Sequence, residues 1–573
     1  MAVILNGTVV SAPTLNSALR DSARITGHFS QREINALVSD LKAGSLSFTP
    51  YILSEENVSP DLGKEQRTQG IAAACVGVLL VIITMCVCYR FGGVVACIAV
   101  LFNLLIIWAV LQNLSAALTL PGIAGIILTI GMAVDANVLV FERIREEFAK
   151  HGRLPSAIQA GYRKAFSAII DSNLTTIIAA LILLNFDSGP IKGFALTLII
   201  GIVSSMFTSL FMTRYFFAGW VQNPKNNTLS MAKLFHNTTF NFMNKAKGVI
   251  IGSTLVVVVG LFLLVSEKAT IFGMDFTGGY ALTLDLQEKP NTNYRVAAEK
   301  ALSNQGLSPS DFQIRELSRP TQLRLQLSSA LEEAGRPFYR IDEKKSPENA
   351  LFTYQSYPRI VWIVGALEKA NLEISPASLV TLNLNWSEMS GQLSDSMRTQ
   401  ALIGLGLAFI AILLYITFRF EFQYAISATI ALVHDVLITL AILAIIHLFY
   451  NGMQIDLQVI AALMTIVGYS LNDTIIIFDR IREDIKIYRK LSFQEIANHA
   501  LNATLNRTIM TSGTTLLVLL ALVVLGGKTI FAFSVILAIG VGIGTLSSLY
   551  VAAPLLVYFH QRALNKRLGE NSI

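Results

Sequence analysis

The sequence predicts a polytopic α-helical membrane protein with a duplicated bundle of about eleven helices and an α+β domain outside the membrane. Hydrophobic residues make up 53% of the 573-residue chain and charged residues only 14%, whereas about 25% of a soluble protein is charged. The apolar residues are concentrated in stretches of about 20, the length of a helix that crosses a bilayer. One 17-residue pattern occurs twice, at 131–147 and 468–484, which indicates two halves related by a pseudo-two-fold axis along the membrane normal.

Eleven segments are long and apolar enough to span a membrane as helices. In chain order they are 70–89, 93–111, 121–141, 166–186, 194–217, 247–265, 398–418, 424–448, 456–478, 501–525 and 530–558. The last contains Pro554, which predicts a kink or an early end because proline cannot donate a helical hydrogen bond. Residues 1–69 and 266–397 are too polar to span, and they are the candidate domains outside the membrane.

The second polar region has the pattern of a small α+β domain. Alternating apolar residues predict strands, and apolar residues at helical spacing predict helices. The strands are expected at 281–286, 312–317, 323–327 and 381–386, and the helices at 293–304 and 359–371. The order β-α-β-β-α-β is typical of a ferredoxin-like domain. At the start of the chain, residues 1–7 predict a strand that enters a hairpin.

Lysine and arginine are concentrated in alternate loops, and this asymmetry predicts the orientation of the bundle. The basic loops, which include 143–164, 214–247 and 480–490, are predicted to be cytosolic together with the C-terminus. The opposite loops contain only Lys192 and Lys528, so residue 1 and both polar regions are predicted to face the exterior. Because topology accounts for the net charge of +6, the composition does not indicate nucleic-acid binding.

Two acids lie inside predicted membrane helices. Asp135 is seven residues before Glu142, and Asp473 is six before Asp479, which places each about 10 Å into its helix. An ionisable group at membrane depth costs about 2.5–3.5 kcal/mol on insertion scales and marks a candidate functional site. The alternative is a carboxylate that only ties two helices together through neighbouring polar groups. In the repeat, Asp135 aligns with Asn472, so the two acids differ by one position.

Arg507 is the candidate counter-ion for these acids, and it has no basic counterpart in the first half. A nearby cation favours an ionised carboxylate while burial favours the neutral form, so a proton can bind and leave. The alternative is an interfacial arginine that extends to lipid headgroups.

Several polar residues are predicted to support the acids. Asp435 and His434 belong either to the ion path or to a packing network with Asn103. Asn137, Asn472 and Thr511 are predicted to form hydrogen bonds around the acids. The pairs Arg143/Glu147 and Arg480/Asp484 have i,i+4 spacing, which predicts cytosolic helix extensions; a docking surface is the alternative.

These motifs resemble the SecD and SecF protein-export membrane proteins. The SecD-like pieces are Ser11-Ala-Pro13, Ile25-Thr-Gly27, Val58-Ser-Pro60 and Val-Asp135-Ala-Asn137-Val. The SecF-like pieces are Gly273-Met-Asp275-Phe276-Thr-Gly278-Gly279, His434-Asp435, Gly468-Tyr-Ser-Leu-Asn472-Asp473-Thr and Arg507-Thr-Ile-Met-Thr-Ser-Gly513. The resemblance is to a fused SecDF protein of the resistance–nodulation–division (RND) superfamily, and it covers nearly the whole chain. The first membrane helix and most of the first exterior domain of such a protein are expected to be missing.

The resemblance implies an accessory subunit of the Sec translocase in the bacterial inner membrane, which uses a proton or sodium gradient to promote preprotein export. It implies the SecY-SecE-SecG channel, unfolded preprotein and lipid as partners, with YajC and YidC as further candidates. No nucleophile–base pair, phosphate loop or metal-ligand cluster is apparent, so neither an enzyme nor a cofactor beyond H⁺ or Na⁺ is predicted. An RND-type exporter of small hydrophobic molecules and a non-transporting scaffold are the alternatives.

The expected domain order follows from the resemblance. It comprises an exterior remnant at 1–69, a SecD-like bundle of five helices at 70–222, a cytosolic linker at 223–246, a first SecF-like helix at 247–265, the exterior α+β domain at 266–397, a SecF-like bundle of five helices at 398–558 and a cytosolic tail at 559–573.

Overall fold

The computed structural model describes residues 54–56, 60–266, 271–339 and 353–570, apart from 187, 224–225, 227, 233–238, 290–291, 309–310, 318, 451–452 and 528, together with residues 3–5, 8–11, 30, 34, 35 and 38. The chain divides into two compact units, Met1–Leu53 and Ser54–Ile573. In the first unit, strands β1 (Val3–Leu5) and β2 (Thr8–Ser11) pair antiparallel, which confirms the predicted hairpin. The motifs at 12–13, 25–27 and 58–59 lie outside the described residues.

The second unit begins with a short strand and the helices of the first half. Its elements are β3 (Ser54–Glu56), α1 (Pro60–Tyr89), α2 (Phe91–Asn113), α3 (Leu120–His151), α4 (Leu154–Leu183), α5 (Gly189–Phe207), a π-helical turn at Thr208–Met212 and α6 (Thr213–Val221). Helix α4 begins twelve residues before the predicted membrane segment at 166. Residues 154–165 are amphipathic, and they bury Ala157, Ile158 and Tyr162 against the bundle, so a hydropathy window that counts Arg163 and Lys164 misses them.

The α+β domain follows helix α7 (Phe242–Ser266). Its elements are α8 (Met274–Thr277), β4 (Gly279–Asp285), α9 (Tyr294–Ser303), β5 (Phe312–Glu316), β6 (Gln322–Leu327), α10 (Pro358–Lys369), α11 (Pro376–Thr381) and β7 (Trp386–Met389). We call residues 279–389 the sheet domain. Side chains of β4 and β6, such as Leu282 and Leu325, pack on α9 and α10 to form its core.

The sheet has the strand order β3-β7-β4-β6-β5, and all neighbours are antiparallel. The four strands after β3 therefore interlock two β-α-β units, as predicted for a ferredoxin-like domain. Strand β3 comes from the segment before α1, and its pairing with β7 was not predicted. It ties the start of the first half to the domain inserted in the second.

The predicted strand at 381–386 is wrong. The side chain of Ser375 accepts a hydrogen bond from the backbone N–H of Ser378, and Pro376 occupies the first turn, so a helix begins here. A 3₁₀ turn at 382–385 follows, and the strand starts at Trp386. Capping serine and N-terminal proline are helix-start signals, and they outweigh the alternation of apolar residues in this short segment.

The remaining helices complete the second half. They are α12 (Gly391–Arg419), α13 (Phe422–Phe449), α14 (Leu457–Ile487), α15 (Phe493–Leu525), α16 (Phe531–Ser547), a π-helical turn at Ser548–Ala552 and α17 (Ala553–Glu570). Eleven helices in the described part of the chain are long and apolar enough to cross a membrane, as predicted. The predicted segment 530–558 does not end at Pro554. Helix α16 continues through the π turn into α17, which contains Pro554 and extends into the residues predicted as a tail.

Two pairs of contacts show how the halves are joined. A Cβ atom added to Gly468 on α14 would lie 2.7 Å from Cα of Thr176 on α4, and one added to Gly131 on α3 would lie 3.1 Å from Cα of Thr515 on α15. These glycines occupy matching repeat positions, and each lets its helix approach a helix of the other half. The π turns at 208–212 and 548–552 also match, so the second turn belongs to the repeat rather than to Pro554 alone.

Candidate ion-coupling site

The three residues predicted to couple ions meet at the interface between the halves. Asp135 lies on α3, Asp473 on α14 and Arg507 on α15, and their exposed fractions are only 8%, 6% and 6%. Helices α3 and α14 are the most deeply buried of the eleven membrane helices. The two carboxylates therefore face the protein interior, where each has a polar or charged partner.

Arg507 pairs with the acid of the opposite half. Its Nη2 lies 3.3 Å from Oδ1 of Asp135, so the interpretation as an interfacial arginine that extends to headgroups is wrong. Within the described residues, its Nη1 and Nε groups have no hydrogen-bond partner. The guanidinium therefore donates to Asp135 through one of its three nitrogens, and the other two can donate to another acceptor.

Asp473 has a weaker set of partners. The hydroxyl of Ser512 donates to its Oδ2 over 3.2 Å, and the hydroxyl of Thr545 donates to Ser512 over 2.6 Å. Arg507 and Asp135 both act on Asp473 electrostatically without a direct contact. One acid thus holds a cation and the other holds a neutral hydroxyl, so the site is asymmetric in charge as well as in sequence.

In the described part of the chain, no hydrogen bond joins the predicted supporting residues Asn137, Asn472 and Thr511 to the acids. The Asn137 side chain donates to Ala133 of its own helix over 3.0 Å, and the Thr511 hydroxyl donates to the carbonyl of Thr508 over 3.1 Å. The side-chain carbonyls of Asn137 and Asn472 are buried, with no hydrogen-bond partner in the described parts of the chain. The sequence analysis did not identify Ser512. This serine follows Thr511 in the segment that begins at Arg507, but it lies about 100° further around the helix.

Asp435 and Asn103 each bond within their own half, and the described residues show no hydrogen bond between them, so the packing network that was one of the two alternatives is not seen. Asp435 is fully buried, and it accepts hydrogen bonds from Ser470 at 2.5 Å and Ser547 at 2.7 Å, with His434 Nδ1 at 3.1 Å. Asn103 accepts from a serine at position 204 of the first half. Ser470 precedes Asp473 on α14, so the Asp435 cluster braces the helix that carries the second acid.

A narrow polar cavity leads from Arg507 toward the end of the bundle that carries the basic loops, which we call the basic face. Its volume is about 50 Å³, and Glu142, Asp479 and Arg507 are among its lining residues. A water molecule needs about 10–15 Å³ of such volume, so a few waters fit. Glu142 is buried at its edge, where it accepts hydrogen bonds from Tyr89 at 3.1 Å and Asn506 at 3.0 Å.

Two ion pairs close the basic face, and they are exchanged between the halves. Arg143 lies 2.7 Å from Glu483, and Arg480 lies 3.0 Å from Glu146; these four residues occupy matching repeat positions. The predicted pair Arg480/Asp484 is present at 3.2 Å. In the other predicted pair, Arg143 turns to Glu146 and Glu483, while Lys150 and Lys164 pair with Glu147.

A duplicated membrane bundle with two buried acids at the interface of its halves, and an α+β domain inserted in the second half, defines an RND-type membrane protein. The chain matches two families: "Protein export membrane protein SecD/SecF, C-terminal" over residues 41–223 and 372–562, and "SecDF, P1 head subdomain" over residues 1–48. The chain belongs to the SecDF family of protein-export membrane proteins.

Full-length similarity gives the same result. The chain is 31% identical to the "Protein translocase subunit SecDF" of Brucella abortus over 97% of its length and 69% of the relative's, and 30% identical to that of Bacillus subtilis over 97% and 73%. It matches the crystal structure of SecDF from Thermus thermophilus, described as a translocon-associated membrane protein, with a TM-score of 0.78 and 31% identity over 98% of this chain and 72% of that one.

The family membership gives the chain an accessory role in Sec-dependent protein translocation. The relatives are named as translocase subunits, which fits a non-catalytic part in that process. The comparisons support neither of the alternatives, a small-molecule exporter or a membrane scaffold.

Proposed function

We propose that the protein promotes preprotein export with the energy of a proton gradient, or of a sodium gradient, and that Asp135, Asp473 and Arg507 carry the coupling ion. The observation that supports this most is that, in the described part of the chain, one cation, Arg507, serves two buried acids on opposite halves. When both carboxylates are ionised, the three groups carry a net charge of −1. Because burying an uncompensated charge is costly, the site favours binding one proton or one Na⁺.

The position of the bound ion sets the contact between the halves. Arg507 belongs to the second half, so its pair with Asp135 holds the two halves together. A proton on Asp135 weakens that pair, and the two free nitrogens of Arg507 can then donate to Asp473 within its own half. Moving the proton between the acids thus alternately engages and releases the interface.

The polar cavity toward the basic face supplies one route for the ion. By the distribution of lysine and arginine this face is cytosolic, so the ion enters from the exterior and leaves by way of Glu142 and the exchanged ion pairs. In this orientation the sheet domain lies outside the inner membrane, where preprotein emerges. We expect the SecY-SecE-SecG channel as the partner, with YajC and YidC as further ones.

The test is preprotein export in cells that carry single substitutions in their own gene. Asp135→Asn and Asp473→Asn keep the shape and remove the charge, so both are expected to lose the export that depends on the ion gradient. The matched control is Asp171→Asn, which also neutralises a buried acid of a membrane helix. Asp171 lies 2.6 Å from Arg419 and accepts a hydrogen bond from Tyr415, so its described partners do not include Arg507. Normal export with either site variant, at equal protein level, would contradict the proposal.

A further inference from the structure

The sheet domain is attached to the helix that carries Asp473. Just before strand β4, residues 271–273 run beside the segment that leads into α14, and Phe272 forms a parallel bridge with Ile455. The backbone N–H of Ile455 donates to the carbonyl of Ile271 over 2.7 Å, and the N–H of Gly273 donates to the carbonyl of Ile455 over 2.7 Å. Two stretches that are far apart in sequence are thus fixed to each other by their backbones.

Two carboxylates cap the start of α14 at this place. The side chain of Asp275 accepts a hydrogen bond from the backbone N–H of Leu457 over 2.9 Å, and that of Asp456 accepts one from Val459 over 2.8 Å. The first N–H groups of a helix have no partner within the helix and favour nearby negative charge. Asp456 is the helix's own cap, whereas Asp275 comes from the segment that enters the sheet domain.

The same place is bonded to the far edge of the sheet and to a second membrane helix. Gln454 bonds to Arg315 and Gln313 on strand β5. On the other side, the hydroxyl of Ser394 on α12 donates to the carbonyl of Met274 over 3.4 Å. We call residues 271–278 together with 454–457 the joint.

The backbone between the joint and the sheet is conformationally restricted. Gly278 and Gly279 have φ angles of +68° and +116°, and a Cβ atom on Gly279 would lie 2.1 Å from the carbonyl oxygen of Leu327. Such positive φ angles favour glycine. The central strand β4 therefore starts directly at the joint, and a displacement of residues 271–278 moves the strand with it.

We propose that the joint transmits movements of α14, set by the ion at Asp473, to the sheet domain, and that Asp275, Asp456 and Gln454 are its positioning residues. This inference rests on the proposed function: the joint would connect ion binding at Asp473 to movement of the domain outside the membrane. Helix α14 is continuous from Leu457 to Ile487, so Asp473 is about 24 Å along it from the joint. A buried, continuous helix carries a rotation or shift over that distance as a rigid element.

Charge at the joint supports a role beyond attachment. Burial and the neighbouring Asp275 raise the pKa of Asp456 to about 6, and burial raises the pKa of Asp275 as well. The positive groups that face them are Arg315 and Arg324, and burial lowers the pKa of Arg315 to about 10. Tyr450 also acts on Arg315 electrostatically. A raised acid pKa means that the assembled joint holds protons more tightly than an opened one, so low pH favours the assembled form.

The experiment measures the distance between the sheet domain and the bundle in the full chain, reconstituted in lipid nanodiscs. Spin labels are placed at Ser303→Cys on α9 and Leu448→Cys at the end of α13, with the four native cysteines replaced by serine. Asp473→Asn imitates the protonated acid, and it is expected to shift the distance distribution relative to the unsubstituted site. Asp275→Ala is expected to abolish that shift, and Asp275→Asn, which keeps the accepting oxygen, is expected to restore it.

The controls separate this inference from the proposed function. Lys289→Gln removes an ion pair with Glu373 inside the sheet domain and should leave the shift unchanged. Gln454→Ala is a milder change at the joint, and it should reduce the distance shift; it replaces Asp275→Ala in the test if that variant folds poorly. An unchanged shift in both Asp275→Ala and Gln454→Ala, or no shift with Asp473→Asn, would overturn the joint. Gradient-driven export that survives Asp473→Asn would instead overturn the proposed function.

Discussion

Asp135→Asn and Asp473→Asn should both stop ion-driven export, yet they should differ in their effect on folding stability. The structure gives the acids unequal partners: Asp135 holds the guanidinium of Arg507 at 3.3 Å, whereas Asp473 accepts a hydroxyl hydrogen bond at 3.2 Å. The proposed function depends on titration of both groups. Stability depends on what each substitution leaves unpaired.

The magnitudes follow from the contacts. A hydrogen bond to a charged group contributes about 1.5–3 kcal/mol, and removing one partner of a buried ion pair costs about 3–5 kcal/mol. Because asparagine keeps an accepting oxygen for Arg507, Asp135→Asn should lower the free energy of unfolding by about 2–3 kcal/mol. Asp473→Asn keeps the bond from Ser512 and removes repulsion between the acids, so its effect should lie within about 1 kcal/mol of zero.

The assay is reversible unfolding of the purified full chain in detergent micelles, followed by helix content. The double variant should be less stable than Asp135→Asn alone, because it leaves the buried guanidinium of Arg507 with no carboxylate. The control Asp171→Asn should cost about 1 kcal/mol or less, since its partner Arg419 is about one third exposed and solvent screens such pairs. Equal destabilisation by the two site substitutions would refute the charge asymmetry described for the site.

Three further predictions concern other parts of the molecule. Gly468→Ala should cost about 1–3 kcal/mol of stability because the added methyl meets the backbone of α4. Gly542→Ala, where no atom lies within 4 Å of the added methyl, should be neutral. Equal losses of stability in thermal unfolding would contradict the close helix crossing. In a double-mutant cycle of Arg143→Gln with Glu483→Gln, the free energies of unfolding should give a coupling energy of about 0.5–1 kcal/mol that falls at high salt. A coupling energy of zero at low salt would exclude the exchanged pair. The assembled joint should be favoured about tenfold more at pH 5 than at pH 7.5 through Asp456, measured as the label distance distribution; a profile unchanged by Asp456→Asn would contradict this.

The sequence was sufficient for the membrane helices and most of the sheet domain because their signals are local. Stretches of about 20 apolar residues identify spanning helices, and alternation located β4, β5 and β6 within two residues. The strand predicted at 381–386 failed because capping by Ser375 favours a helix there. Strand β3 was missed because its pairing with β7 joins residues more than 300 positions apart, and nothing in its own three residues indicates a partner.

The same distinction applies to the site. Charged residues inside apolar helices are visible in sequence, so Asp135, Asp473 and Arg507 could be identified before their geometry was known. Which acid holds the arginine depends on helix rotation and the approach of the two halves, and the spacing did not determine it. Ser512 and Thr511 are adjacent and chemically alike, yet only the serine faces Asp473.

Ion uptake by proteoliposomes shows whether the buried acids carry the coupling ion. The purified full chain is reconstituted with a pH-sensitive dye inside and a proton gradient is imposed, while a parallel set of vesicles contains a sodium-sensitive dye and receives a sodium gradient. We expect the unsubstituted protein and Asp171→Asn to admit the coupling ion, and Asp135→Asn and Asp473→Asn to exclude it. Uptake at the unsubstituted rate in either site variant would contradict the proposal that both buried acids carry the ion.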